Sequence, residues 1–147
     1  MTRIEPGVLD ANVLAYAINT SAPQHSASRT LLDSARDHRV TLYVTSQILC
    51  EFYSIITNPR RVAAPKSSAD AQQIVSDILA LPGLWVLPMP ISAVSGWLQL
   101  LQRYPVTGAD IFDLQIVATM LANGINCIYT FNGDDFRIFP EISVVVP

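Results

Sequence analysis

Short apolar runs and longer amphipathic stretches alternate along this chain. "GVLD" reads as a buried strand ending at Asp10, and residues from about 12 to 18 begin a helix. A second helix is expected within "SAPQHSASRTLLDSARDH", where Leu31, Leu32 and Ala35 share one side and Arg29, Asp33, Arg36 and Asp37 take the others. "VTLYVT" has the β-branched and aromatic content of a strand. Thr45 or Ser46 caps the helix that follows, to about Thr57, and "NPRR" stops it. Ser67 or Ser68 caps a further helix through Ala80, and "LPG" ends it. "LWVLP" is a short strand, Ile91 to Arg103 is helical, and Asp110 starts a last helix closed by Asn123 and Gly124. "CIYTF" and "ISVVV" complete the set as strands.

Strands separated by helices predict an α/β fold: a mostly parallel sheet with helices on both faces. No repeat, low-complexity tract or long linker divides the chain, so residues 1–147 are expected to form one domain. Ligands of such folds bind at the carboxyl ends of the strands. Asp10 lies at the end of the first strand, and Thr130, Asn132, Asp134 and Asp135 lie at or beyond the end of a later one. Glu51 and Asp113 fall in the first turns of helices, within reach of the same rim.

Composition narrows the class. Half of the residues are hydrophobic and 14% are charged, which excludes a disordered chain. The net charge of −3 supplies no global basic footprint for nucleic acid, leaving only a local patch. The uncharged stretches 78–102 and 114–133 are broken by Pro and Gly or by "ANGIN", so neither reads as a membrane helix. "MTRIEPG" has no apolar signal core, and a soluble, cytoplasmic protein is expected. Cys50 and Cys127 both lie in apolar runs and read as buried, reduced thiols.

The candidate chemistry lies in the acids. Asp10, Glu51 and Asp113 sit inside or at the ends of the most hydrophobic segments, in a chain with only 12 carboxylates. Lys66 is the only lysine, and no arginine lies within four residues of these three acids. Buried carboxylates need a cation, and a divalent metal held by converging acids is the simplest one. Each acid also has a plain structural role. Asp10 can cap the helix after it, and Glu51 can be a solvated helix edge. Asp110 is assigned to capping, with Asp113 as the acid three residues into that helix. Asp134 and Asp135 follow a turn and read individually as solvated. Arg60, Arg61 and Lys66 form the one basic cluster, either a solvated loop or a phosphate or partner contact.

Taken together, "LDANVLAYA", "ILCEFYSIITNPRR", "DLQIVATMLANGI" and "YTFNGDDF" resemble the PIN-domain ribonucleases, specifically the VapC-type toxins of toxin–antitoxin pairs. The resemblance covers nearly the whole chain. It implies a PIN-like α/β/α sandwich, RNA cleavage dependent on Mg²⁺ or Mn²⁺, a small antitoxin partner and a homodimer. It places the family's acids on Asp10, Glu51 and Asp113 and its threonine on Thr130. For the fourth acid, Asn132 occupies one family position and Asp135 the other, and Asp135 is preferred over Asp134. Phe112 stands where similar toxins often carry a histidine.

On this reading Asp10 and Asp113 are the primary metal ligands, and Glu51 is a ligand or orients the attacking water. Asp135 is peripheral, while Asn12, Thr130 and Asn132 support. The antitoxin is expected to insert a basic side chain toward Asp10 and Asp113, with apolar contacts on the helices after Asp10 and around Glu51. Two alternatives stay open: a phosphatase or phosphotransfer domain with Asp10 as nucleophile, and a non-catalytic module that keeps the fold. The first lacks a lysine in the C-terminal half, and metal binding separates the second from a nuclease.

Overall fold

A computed structural model describes residues 3–147. The elements are β1 (Gly7–Leu9), α1 (Ala11–Ala17), α2 (His25–Arg36), β2 (Leu42–Val44), α3 (Ser46–Thr57) and α4 (Ser68–Leu79). They continue with β3 (Leu84–Val86), α5 (Ser92–Arg103), α6 (Asp110–Ala122), β4 (Cys127–Tyr129), a single 3₁₀ turn (Gly133–Asp135) and β5 (Ser143–Val145). The five strands pair in the order β3-β2-β1-β4-β5, each neighbour parallel.

This order explains the sandwich. The chain steps outward from β1 to β2 to β3, then returns to β4 on the other side of β1. Right-handed crossovers therefore place α1–α4 over one face and α5–α6 over the other. The packing agrees: α1 rests on α2 and α3, α3 on α4, and α5 on α6. Covered on both sides, the inner strands β1 and β4 are buried throughout, which is why they read as unbroken apolar runs.

Helix starts follow the expected caps in two cases. Thr45 Oγ1 accepts from the Ile48 amide at 3.1 Å, and Ser67 Oγ from the Asp70 amide at 3.1 Å. At α6 the expectation fails: Ala109 is the cap residue and makes no side-chain bond, and Asp110 is the first helical residue. Asp113 is thereby the fourth helical residue, one position deeper than expected.

Phe52, fully buried on α3, anchors the helix that carries Glu51, and truncating it to Ala costs about 3–5 kcal/mol. Gly83 joins α4 to β3 where a side chain cannot fit, since a Cβ there would lie 2.6 Å from the Ala35 carbonyl oxygen. Gly124, at φ +70°, turns the chain out of α6 in the left-handed conformation glycine adopts without cost.

Two surface expectations are corrected. Cys50 is exposed: it lies two residues from both Ile48 and Phe52, roughly opposite the buried face of α3. Cys127 is buried, as expected. The large apolar side chains left exposed among the described residues lie on neither α1 nor α3. Several gather on edge strand β3, the segment after it and α5, at Trp85, Met89, Ile91 (93% exposed), Val94 and Leu98, and the others are scattered. α1 and α3 bury most of their apolar residues in the core, with Leu49, Tyr53 and Ile55 only partly covered. Among the described residues no helix is long and apolar enough to cross a membrane.

Candidate active site

β1 and β4 lie side by side at the sheet's centre, and the chain leaves them toward opposite flanks. That is the switch point where an open parallel sheet leaves a crevice at its carboxyl rim. The register pairs Leu9 with Tyr129, so Asp10 and Thr130 emerge together. Asp10 is 7% exposed. Its Oδ1 accepts from the Ala11 amide at 2.7 Å and its Oδ2 from Thr130 Oγ1 at 2.7 Å and Asn12 Nδ2 at 3.2 Å. Asp10 is thus the cap of α1, and three of about four acceptor directions on its carboxylate are filled. One remains for a ligand.

Asn12 and Thr130 form the frame around that carboxylate. Asn12 Nδ2 also donates to Thr130 Oγ1 at 3.2 Å, and its Oδ1 accepts from the Phe131 amide at 3.1 Å. The Asn132 amide donates to Thr130 Oγ1 at 3.0 Å. Burial raises the Asp10 pKa above its ordinary value; the Thr130 and Ala11 bonds oppose that, and the charges of Glu51 and Asp135 reinforce it.

Glu51, half-buried in the second turn of α3, reaches the same crevice. Gln47 Nε2 donates to Glu51 Oε1 at 2.9 Å and to the Phe112 carbonyl at 3.1 Å, tying α3 to the start of α6. Asp113, half-buried in the first turn of α6, has its pKa pushed up to about 7, first by desolvation and then by the charges of Asp135, Asp10, Glu51 and Asp110. A cavity of about 250 Å³ holds Asp10, Asn12, Glu51, Ser54, Arg61, Asp113, Asn132 and Asp135 on its walls.

The two acids of the 3₁₀ turn separate. Asp135 lines the cavity, whereas Asp134 is 95% exposed and pairs with Arg137. The basic cluster separates too: Arg61 lines the acidic cavity and Arg60 and Lys66 do not. The loop after α3 folds back, with the Arg61 amide on the Asn58 carbonyl at 2.9 Å and the Lys66 amide on the Ile56 carbonyl at 2.7 Å. An arginine distant in sequence from Asp10 and Asp113 therefore shares their cavity. Among the described residues it forms no ion pair with any of the four acids, nor does any other cation.

Four carboxylates offer the hard oxygen donors that Mg²⁺ and Mn²⁺ take. Among the described residues, no three His, Cys, Asp or Glu side chains stand close enough to enclose an ion as they are. Uncompensated like charges repel, and the pKa of Asp113 is raised first by its burial and then by the charges of its acidic neighbours. The chemistry of the donor set fits a divalent cation. A larger cavity of about 740 Å³ lies toward the amino ends of β4 and β5, against Ile4, Cys127 and Ser143, and has Glu5 as its one acid. It has no convergent acids, unlike the smaller one.

Gln47 is the residue that the acids' pattern did not reveal. Its signal was present in the sequence: it stands four residues before Glu51, on the same helix face.

The PIN domain family model matches residues 7–142. Ribonuclease VapC43 of Mycobacterium tuberculosis is 30% identical over 115 residues, 78% of this chain and 78% of its own. The crystal structure of VapC20 of M. tuberculosis, a sarcin–ricin loop cleaving toxin, superposes with a TM-score of 0.69 at 17% identity, covering 95% of this chain and 98% of its own. VapBC2 from Rickettsia felis, bound to a DNA fragment from its promoter, gives a TM-score of 0.66 at 18% identity, covering 95% of this chain and 97% of that one. These structures share the fold. With the family model spanning nearly every element and a curated relative matched over most of both lengths, the chain belongs to the PIN-domain family, among the VapC ribonucleases.

Proposed function

We propose that Asp10, Glu51, Asp113 and Asp135 hold the divalent cation, Mg²⁺ or Mn²⁺, with which this endoribonuclease, the toxin of a toxin–antitoxin pair, hydrolyses RNA. The observation that carries the site assignment is the meeting of four carboxylates from four separate elements at one cavity, with no cationic partner among the described residues. The reading takes residues 1–147 as a single nuclease domain.

Asp10 and Asp113 are the primary ligands. A divalent cation bound between them would neutralise charge on the scissile phosphate and acidify the attacking water. Glu51 adds a ligand or accepts the proton of that water, and Asp135 closes the outer side. Thr130 and Asn12 hold Asp10 in one rotamer, so the carboxylate meets its cation without reordering. Asn132 orients water or a phosphate oxygen. Arg61, the cavity's one basic side chain, contacts a phosphate of the RNA backbone. Because water attacks, the products carry a 5′-phosphate and a 3′-hydroxyl, and the 2′-hydroxyl takes no covalent part.

The same carboxylates suit inhibition by the antitoxin partner. An arginine fork from that protein would engage Asp10 and Asp113 bidentately and compete with the cation. A homodimer acting in the cytoplasm completes the reading. The test is cleavage of a structured RNA with Mn²⁺ and with EDTA, followed by end-group analysis. Cleavage only with metal, leaving 5′-phosphate ends, supports the assignment; cleavage in EDTA, or 2′,3′-cyclic phosphate ends, contradicts it.

A further inference from the structure

Gln47 makes two hydrogen bonds through one nitrogen. Its Nε2 reaches Glu51 Oε1 at 2.9 Å and the Phe112 carbonyl oxygen at 3.1 Å. Both partners are pure acceptors, so the nitrogen must face them and the amide cannot be turned over. The consequence is unfavourable at its other end: Gln47 Oε1 is buried and has no hydrogen-bond partner. A methionine or leucine of similar length would avoid that orphan acceptor. The orientation of the amide is therefore set by its two bonds, to Glu51 and the Phe112 carbonyl, at the expense of its own oxygen.

We propose that Gln47 is a positioning residue of the nuclease site, setting the Glu51 carboxylate relative to Asp113. Glu51 lies one helical turn after Gln47, so the pair shares a face of α3. Phe112 immediately precedes Asp113 at the start of α6. One amide therefore spans the two helices that deliver Glu51 and Asp113 to the cavity, which come from opposite faces of the sheet. It engages one oxygen of Glu51 and leaves Oε2 for the site. Without the amide, Glu51 has free rotamers and the gap between the helices loses its tie. Groups that orient metal-site carboxylates in this way set affinity and rate without touching the reacting atoms. Phe112 contributes only its backbone carbonyl, so the position tolerates a side chain other than the histidine of similar toxins.

The inference rests on the reading of Glu51 as part of the site, and a double-mutant cycle separates the two. Gln47→Met, Glu51→Ala and the double variant are compared by Mn²⁺ binding without RNA and by kcat and KM for cleavage at saturating Mn²⁺. Gln47→Met should lower the same quantity that Glu51→Ala lowers, Mn²⁺ affinity or kcat, by about 10–100-fold. It should leave KM for RNA unchanged and its melting temperature close to wild type, because the loss of two hydrogen bonds is offset by removal of the buried orphan acceptor. The double variant should be no worse than Glu51→Ala alone. If Glu51→Ala is impaired while Gln47→Met behaves as wild type, or if the two losses add, Gln47 does not act through Glu51 and the proposal falls. If Glu51→Ala is itself silent, the role given to Glu51 falls first. Failure of both Gln47→Met and Gln47→Leu to fold would assign the residue to structure alone and overturn the proposal.

Discussion

Thr130 Oγ1 donates to Asp10 Oδ2 at 2.7 Å, joining two residues 120 positions apart at the ends of adjacent parallel strands. The bond orients the deepest acid of the cavity and favours its charged form, opposing the burial that raises its pKa. The same hydroxyl accepts from Asn12 and from the Asn132 amide, so it is the hinge pin of the whole rim.

Thr130→Val keeps the shape and removes the hydroxyl. The Asn12 amide group and the Asn132 N–H then lose an acceptor in a part-buried setting, a destabilisation of about 1–3 kcal/mol. Urea unfolding measures it, and Mn²⁺-dependent cleavage should fall with it. Thr130→Ser, which restores the hydroxyl, should recover most of both.

Without metal, stability should decline as pH rises from about 4 to about 7. Asp113 titrates near 7 in the folded chain against an ordinary value of 3.8, so across that interval the folded state binds the extra proton. Its contribution is complete below the unfolded value and is lost as pH rises through the folded one. Asp10, raised in the same sense, adds to the slope. Melting curves in EDTA should flatten in Asp113→Asn, and Mn²⁺ should restabilise the wild type at pH 8 by binding only the folded state. A wild-type melting temperature that climbs from pH 4 to pH 7 in EDTA would contradict the mutual repulsion inferred for the site.

Arg61→Ala should weaken RNA binding by about 10-fold, as expected for loss of a charge-assisted contact of about 1.5 kcal/mol, and leave Mn²⁺ affinity unchanged. The slope of log K against log salt should drop by about 0.7 for single-stranded RNA. Arg60→Ala and Lys66→Ala, outside the cavity, should change binding little. Equal losses at all three positions would show that the loop acts as a diffuse basic patch.

The sequence made the fold legible because buried parallel strands leave short apolar runs, and caps such as Thr45 and Ser67 mark helix starts. Asp10, Glu51 and Asp113 were legible as charges set among residues that pack inward. The preference for Asp135 over Asp134 came from the family resemblance alone, since both follow the same turn; the folded chain pairs Asp134 with Arg137 and turns Asp135 to the cavity. Arg61 was legible as part of a basic cluster, but its place in the acidic cavity was hidden by its distance along the chain from Asp10 and Asp113. Asp110 was misread because a D-x-x-D spacing suits two neighbouring registers of a helix start, and Ala109 takes the cap. The apolar surface at Ile91 and Trp85 was misplaced because hydropathy does not distinguish a face turned to the core from one turned to solvent.

The most direct test of the central claim is the cleavage rate of Asp113→Asn beside wild type, on one structured RNA, with Mn²⁺ and with EDTA. The substitution is nearly isosteric and removes only the charge. Wild type should cleave with Mn²⁺ alone, and Asp113→Asn should not cleave under either condition, while melting in EDTA at pH 7 at or above the wild-type temperature. Cleavage by Asp113→Asn at the wild-type rate would show that Asp113 serves only the start of its helix, and the activity could not then depend on a cation held between Asp10 and Asp113.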